Sequence, residues 1–300
     1  MGARGMILDR LGRELRDLRI SITDRCNFRC AFCMPEGQDY EFFRREEILS
    51  FEEITKFVKA IIPLGIKKVR LTGGEPLLRR DLERLIKMLS ELPMEDLSLT
   101  TNGFLLKEKA KALKHAGLKR ITVSLPSLRD EVFSKLVGRE VKVSHILEGI
   151  EEALRVGLKL VKVNVCVVRG LNHEEIVDIA KFFKGMGVVV RFIEFMDVGI
   201  SFGSMHEVRA FRERKKRSVW FRELVENCVV YGDRGYRGCE GVIVCDSREM
   251  RAKRQVVEGV ISQIKLFNAG SGWRTLTCVL VYVYAYAIGY SYYRRGELEV

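Results

Sequence analysis

The sequence predicts an α/β fold in which a parallel sheet, flat or curved into a partial barrel, is covered by helices. Two observations predict it. Six short runs rich in β-branched residues alternate with amphipathic segments at helical spacing between residues 18 and 196. The strand runs are also nearly continuous in apolar residues, as expected of parallel strands between helices.

The strand runs are LRISIT (18–23), KKVRLT (67–72), DLSLTT (96–101), KRITVSL (119–125), VKVNVCVV (161–168) and VVVRFIEF (188–195). Between them lie SFEEITKFVKAII, DLERLIKMLSEL, KEKAKALKHAG, SHILEGIEEALRVG and NHEEIVDIAKFFKGMG, whose apolar residues recur at helical intervals. Ser50 with Glu53, and Asn172 with Glu175, have the spacing of capping boxes. Gly117, Gly157 and Gly187 fall where helix C-caps belong. The rhythm stops after Gly199, and no plan of helices and strands can be drawn through residues 201–300. That stretch lacks Pro, favours Arg over Lys 13 to 4, and holds six of the nine Tyr between Tyr282 and Tyr293.

At 47% apolar and 31% charged over 300 residues, the composition is that of a soluble globular chain rather than a disordered one. The length allows one large α/β domain, or a domain of about 200 residues with a smaller one. No secretory signal is read at the N-terminus, so a cytoplasmic location is expected. The apolar stretch TLTCVLVYVYAYAIGYSYY alternates with Tyr and is not read as a membrane span. Eight Cys point to thiols kept reduced as ligands. A formal net charge of +12 suits an anionic partner. No basic element with interleaved aromatics marks a nucleic-acid partner in the first 200 residues.

The segment TDRCNFRCAFCMP places Cys26, Cys30 and Cys33 as C-x3-C-x2-C directly after the first strand. Three thiolates in one loop can converge on one centre. A [4Fe–4S] cluster normally takes four Cys, so three leave one iron open for a small ligand. Structural zinc wants four closed ligands, and no fourth Cys or His is near in sequence. After the second strand comes RLTGGEP, where Gly73 and Gly74 let a ligand lie against the backbone and Glu75 adds an acceptor beside it. Both motifs end strands, where the active sites of such sheets and barrels lie. Arg19, Arg70 and Lys162 interrupt otherwise apolar strands, where charge is costly unless a ligand or counter-ion meets it. Cys166 reads as a buried small hydrophobe, and His115, His145 and His173 as surface or cap residues.

C-x3-C-x2-C followed by GGEP resembles the radical S-adenosylmethionine (SAM) superfamily. LRISITDRCNFRCAFCMP with KKVRLTGGEPLLRRDL, LTTNG, VKVNV and RFIEFMDVG resembles, more closely, the GTP 3′,8-cyclases of molybdenum cofactor biosynthesis, from about residue 8 to Gly199. The resemblance implies a partial (β/α)6 barrel of the radical SAM type. It implies one [4Fe–4S] cluster on Cys26, Cys30 and Cys33, with SAM on the open iron. It implies SAM contacts from Phe32 (usually Tyr in the family), Gly74, Ser124 and Met196, and GTP contacts from Arg19, Arg70, Thr100 and Lys162. The partners it implies are GTP, SAM and a reductant of unknown identity, with no nucleic acid and no membrane; a homodimer is left open.

Pro126 stands where the family usually has Asp. The family also carries a second cluster on a C-terminal C-x2-C and a third Cys. Here Cys228, Cys239, Cys245 and Cys278 include no C-x2-C pair, and an Arg-rich string and a terminal Gly-Gly are missing. The expectation is therefore a radical SAM core over residues 1–199 and a divergent region over 200–300, without the second cluster. Three explanations stand side by side: a reading-frame shift near residues 199–203, divergence toward another radical-SAM reaction, or a relative that binds SAM but not GTP.

Overall fold

The computed structural model describes residues 14, 16–37 and 39–195, with two short strands at 230–231 and 242–245 of which the backbone alone is described. Met196, the Tyr-rich stretch and most of the region beyond Gly199 lie outside the described residues.

Among the described residues eight strands run parallel in one sheet. They are β1 (Asp17–Ser21), β2 (Lys68–Thr72), β3 (Asp96–Thr101), β4 (Arg120–Ser124), β5 (Lys159–Val167), β6 (Val188–Glu194), β7 (Val230–Tyr231) and β8 (Val242–Cys245). Their order is β1-β2-β3-β4-β5-β6-β8-β7. The first six follow chain order, as successive β-α units wound in one sense must. β1 and β7 end the sheet without pairing to each other, so the barrel stays partial.

The connecting helices are α1 (Phe51–Ile61), α2 (Leu82–Ser90), α3 (Leu106–His115), α4 (Asp130–Val137), α5 (Val143–Arg155) and α6 (Ile176–Phe183). Each lays an apolar stripe on the outer face of the sheet. Ile54 and Val58 of α1, Leu82, Leu85, Ile86 and Leu89 of α2, and Ile146 and Ile150 of α5 join Val69, Leu71, Leu99, Ile121, Val123, Val163 and Val165 in one core. Ser50 closes α1 as read: its hydroxyl accepts from Glu53 N–H at 3.2 Å, and its own N–H donates to the Glu53 carboxylate at 2.8 Å. Gly117, in the left-handed region at φ +100°, ends α3, and the next N–H, of Leu118, reaches back to the Leu113 carbonyl.

Three expectations need correction. The strands are not apolar on both faces: the outer face carries the core, while the inner face carries Arg19, Arg70, Ser98, Thr122, Lys162 and Asn164. Asn172 and Glu175 form no capping box. The Asn172 side chain is fully buried and instead takes the Val168 N–H at 2.7 Å while donating to the Pro126 and Cys166 carbonyls at 2.7 and 2.8 Å. Glu175 accepts from Ser127 Oγ, Leu128 N–H and Arg129. These bonds fasten the β4 exit to the β5 exit, and α6 starts only after a short 3-10 turn. Gly187 has φ +72°, but α6 ends four residues earlier, so this glycine leads the chain into β6.

Candidate functional site

The cysteine loop leaves β1 at the C-terminal mouth of the sheet and is held by backbone on both sides. Arg29 N–H and Ala31 N–H donate to the carbonyls of Val137 and Leu136 at the end of α4, each at 2.9 Å. On the other side, Gly74 N–H donates to Thr23 O at 2.7 Å and Glu75 N–H to Arg25 O at 2.8 Å. These bonds explain the two glycines of GGEP. A Cβ on Gly74 would lie 2.2 Å from the Arg25 oxygen, and one on Gly73 would lie 2.4 Å from the Thr23 oxygen. The missing side chains make room for the cysteine loop, a partner that the sequence alone does not show.

Glu75 has protein donors as its partners. Its fully buried carboxylate accepts from Thr101 Oγ1 at 2.7 Å, Asn102 N–H at 2.6 Å and Leu77 N–H at 2.9 Å. It therefore joins the turn after β2 to the turn after β3. Burial raises its pKa to about 7, and the three donors hold it back from going higher. From the same β3 turn, Asn102 sends its side-chain amide to Asn27 Oδ1 at 2.8 Å and toward Cys26 Sγ at 4.0 Å.

Cys26, Cys30 and Cys33 are reduced thiols and partly buried. Burial pushes Cys26 up to about 11 and Cys30 well above the usual thiol range, and each is raised further by Cys33. Such thiols stay protonated until a cation arrives, and a bound metal inverts that preference. Cys26 Sγ already accepts the Phe28 N–H at 3.4 Å, a bond that suits a metal-bound thiolate. Phe28, 1% exposed, anchors the loop by edge contacts to Phe104 and Phe133. Among the described residues no three ligating side chains gather closely enough for a single ion. A lone tetrahedral ion would draw its thiolates to about 2.3 Å from one point. Three thiols on one loop are the soft donor set that an iron–sulfur cluster takes.

Below the mouth, strand register sorts the inner face into rows. The deepest row pairs Arg19 with Arg70, Arg70 with Ser98, and Ser98 with Arg120. The next holds Thr100, Thr122 and Lys162. Ser124, Asn164 and Arg191 form a third, nearer the mouth. Arg70 falls to about 9 through burial first and then through Arg19, Arg191 and Arg120. Lys162 falls to about 8 through burial, Arg191, Arg120 and Arg70. Among the described residues Asp96 pairs with Arg120, whose Nε reaches it at 2.8 Å, and Asp17 favours the charged form of Arg70. The lumen is therefore a partly desolvated cationic well that favours an anion. Thr100 and Ser124 are half-exposed and Phe32 is partly buried in the cysteine loop.

Sequence reasoning missed Arg120, Arg191 and Asn102. Both arginines interrupt apolar strand runs just as Arg19 and Arg70 do, so the same signal was available. Nothing local marks Asn102, whose role depends on the approach of two loops. Cys166 follows Lys162 and Asn164 on the inner face and is partly rather than fully buried.

The family model of the radical SAM superfamily matches residues 20–183. The chain belongs to the radical SAM superfamily. Within it, the chain is 55% identical over 195 residues to a GTP 3′,8-cyclase from Aquifex aeolicus, covering 65% of this chain and 61% of the relative. A GTP 3′,8-cyclase from Staphylococcus epidermidis is 52% identical over 198 residues, 65% of this chain and 58% of that one. The chain thus spans about three fifths of the length of these relatives. In fold it is similar to Streptococcus suis SuiB bound to precursor peptide SuiA, with a TM-score of 0.58 at 16% identity over 80% of this chain and 51% of that one. The matches confirm the α/β partial barrel. No helix among the described residues is long and apolar enough to cross a membrane.

Proposed function

We propose that this radical SAM chain carries the core of a GTP 3′,8-cyclase, which converts GTP to 3′,8-cyclo-7,8-dihydroguanosine triphosphate, the first step of molybdopterin cofactor biosynthesis. The observation that carries the reading is the cationic inner face of Arg19, Arg70 and Lys162 beneath the three-cysteine mouth. Relatives named GTP 3′,8-cyclase at 55% and 52% identity support it.

In this reading Cys26, Cys30 and Cys33 hold one [4Fe–4S] cluster. When bound, the cluster and SAM supply a 5′-deoxyadenosyl radical by one-electron cleavage of the sulfonium. The protein's task is placement. Phe32, Gly74, Ser124 and Met196 hold SAM; Met196 lies outside the described residues. Arg19, Arg70, Thr100 and Lys162 hold GTP, and Arg191, in the row of Ser124, adds charge that acts on Arg70 and Lys162. The row order agrees with this division, because Ser124 stands nearer the mouth than Thr100, Lys162, Arg70 and Arg19. The forked guanidinium groups and the lysine match a triphosphate, and the enclosing sheet keeps water from the ribose. Arg19, Arg70, Thr100 and Lys162 would hold the ribose C3′ where a hydrogen can be abstracted from it, with guanine C8 beside it for the new C3′–C8 bond.

The core is proposed to span residues 1–199, with residues 200–300 a divergent region. The cysteine spacing after Gly199 favours a second reading: a single-cluster radical SAM enzyme with another substrate, or an inactive SAM-binding relative. Anaerobic reconstitution with iron and sulfide, followed by SAM, GTP and dithionite, tests both. The cyclase reading expects 5′-deoxyadenosine and cyclised nucleotide together. 5′-Deoxyadenosine without nucleotide product supports another substrate, and neither product supports an inactive relative. Reading the gene in its other frames past codon 199 tests the frame shift, which expects C-x2-C to appear.

A further inference from the structure

The carbonyls of Cys26, Asn27 and Phe28 each meet a guanidinium. Arg29 Nη1 donates to Cys26 O and to Phe28 O, both at 3.0 Å. Arg139 Nη1 donates to Asn27 O at 3.2 Å. Arg139 reaches the loop because Gly138, left-handed at φ +61°, ends α4 directly before it. A Cβ on Gly138 would lie 2.4 Å from Arg29 O, so the missing side chain lets the two segments come this close. The Arg139 guanidinium also lies over the Phe104 ring, 4.4 Å from its centre, and Phe104 meets Phe28 edge-on at 5.9 Å. Asn27 is thus held twice, by Arg139 at its carbonyl and by Asn102 at its side chain. The consequence falls on a sulfur. Asn27 O and Phe28 N–H belong to one planar trans peptide and point opposite ways. The bond that holds the oxygen toward Arg139 therefore aims the N–H at Cys26 Sγ, which it meets at 3.4 Å.

We propose that Arg29 and Arg139 are positioning residues that clasp the cysteine loop and raise the reduction potential of the cluster it holds. The proposal rests on the radical SAM reading of that loop. Reduction of such a cluster takes one electron from an external one-electron reductant and adds one negative charge to it. Hydrogen bonds to the sulfurs and positive charge nearby favour that reduced form. Arg139 acts by orientation, because it is exposed and solvent screens its charge. It keeps the Phe28 N–H on Cys26. Arg29 acts by charge as well. It is half-buried, it bonds the carbonyl of Cys26 itself, and it favours the Cys26 thiolate over the thiol. It also offsets the partial negative charge of two carbonyls on the loop.

The test uses the full chain, reconstituted anaerobically with iron and sulfide, as wild type, Arg29→Met, Arg139→Met, Arg29→Lys and Arg139→Lys. Methionine keeps the apolar stem and removes both donor and charge, whereas lysine keeps a donor and the charge. A dithionite redox titration followed by the EPR of the reduced cluster reads the potential on whatever fraction of the chain carries the cluster, so partial loading does not blunt it. At the potential where wild type is half reduced, the ratio of reduced to oxidised cluster should fall about tenfold in each methionine variant. Each lysine variant should stay within about threefold of wild type. A ratio within about twofold of wild type in a methionine variant would overturn the role of that arginine. A lysine variant that falls as far as its methionine counterpart would overturn it too, as would a methionine variant that forms no cluster, because the clasp would then serve assembly alone. Cys26→Ala separates these failures from failure of the underlying reading. If Cys26→Ala loses the cluster while the methionine variants match wild type, only the clasp falls. If Cys26→Ala keeps an unaltered cluster, the reading of the loop falls with it.

Discussion

Glu75 takes three donors with one buried carboxylate, and its raised pKa makes it a sensor of stability in the metal-free chain. Its value is about 7 when folded, against an ordinary 4.5. Between these two pH values the folded chain holds more protons than the unfolded one. Stability is full below the lower value and is lost as pH rises through 7. A shift of this size corresponds to about 3 kcal/mol. Glu75→Gln does not titrate, so the stability of wild type relative to the variant should fall by about 3 kcal/mol between pH 4.5 and 7.5, read by urea unfolding at stepped pH. A constant difference across that window would show that Glu75 is not buried as described. Gly74 makes a sharper claim. Its missing Cβ is filled by the Arg25 carbonyl at 2.2 Å, and backbone cannot step aside as a flexible side chain can. Gly74→Ala should cost at least about 1–3 kcal/mol and should reduce bound iron, because the displaced segment carries Cys26. Normal iron loading at an unchanged melting temperature would sink this account. From sequence the glycines were visible but their partner was not: the requirement arises where the β1 and β2 exits meet, residues 23–25 against 73–75.

Among the elements, β5 shows best how the inner face trades stability for binding. Lys162 is held to about 8, below its ordinary 10.5, by burial and by three neighbouring arginines. Between 8 and 10.5 the folded chain binds fewer protons than the unfolded one, so stability rises with pH across that window. At neutral pH the charged lysine costs the fold about 1–2 kcal/mol after allowance for its partial exposure. Lys162→Met should therefore raise the melting temperature at pH 7 and flatten the rise in stability between pH 8 and 9, leaving the contribution of Arg70 above 9. Tripolyphosphate should stabilise wild type, and its dissociation constant should be about 10–100-fold weaker in the variant, since a hydrogen bond to a charged group contributes about 1.5–3 kcal/mol. A variant that is both less stable and unchanged in tripolyphosphate binding would place Lys162 outside the lumen. The charged positions of β1, β2 and β5 were legible because each breaks an apolar run. α4 was not read: DEVFSKLV buries Phe133, Leu136 and Val137 but is short and directly follows the SLRD turn. The false capping box at Asn172 has a related cause. Its spacing fits a cap, but the side chain has better partners in Val168, Pro126 and Cys166, which only the packed loops bring to it.

At the scale of the whole molecule, one core runs from Leu18 to Phe192 and joins all six β-α units. The six-fold rhythm was readable because each unit repeats one demand, an apolar strand face covered by one helical stripe. The region past Gly199 offers no such repeat, and β8 pairs its backbone with β6, from Val190 with Val242 to Ile193 with Cys245. Backbone pairing leaves little trace in side-chain pattern, so that strand was not legible. This division leads to a prediction about the radical SAM core itself. A chain ended after Gly199 keeps every described residue of the core, the cysteine loop and the cationic rows, and loses the pairing along one edge of β6. It should unfold cooperatively, with a lower melting temperature because that edge is bared, and should bind about four irons per chain. It should also cleave SAM under dithionite at a rate within about threefold of the full chain, since placement of SAM is proposed to rest on residues before Gly199. Calorimetry, iron analysis and 5′-deoxyadenosine release measure the three. A truncated chain that cannot hold iron would show that residues beyond 199 complete the cluster site. The boundary of the functional core would then have to move past β8.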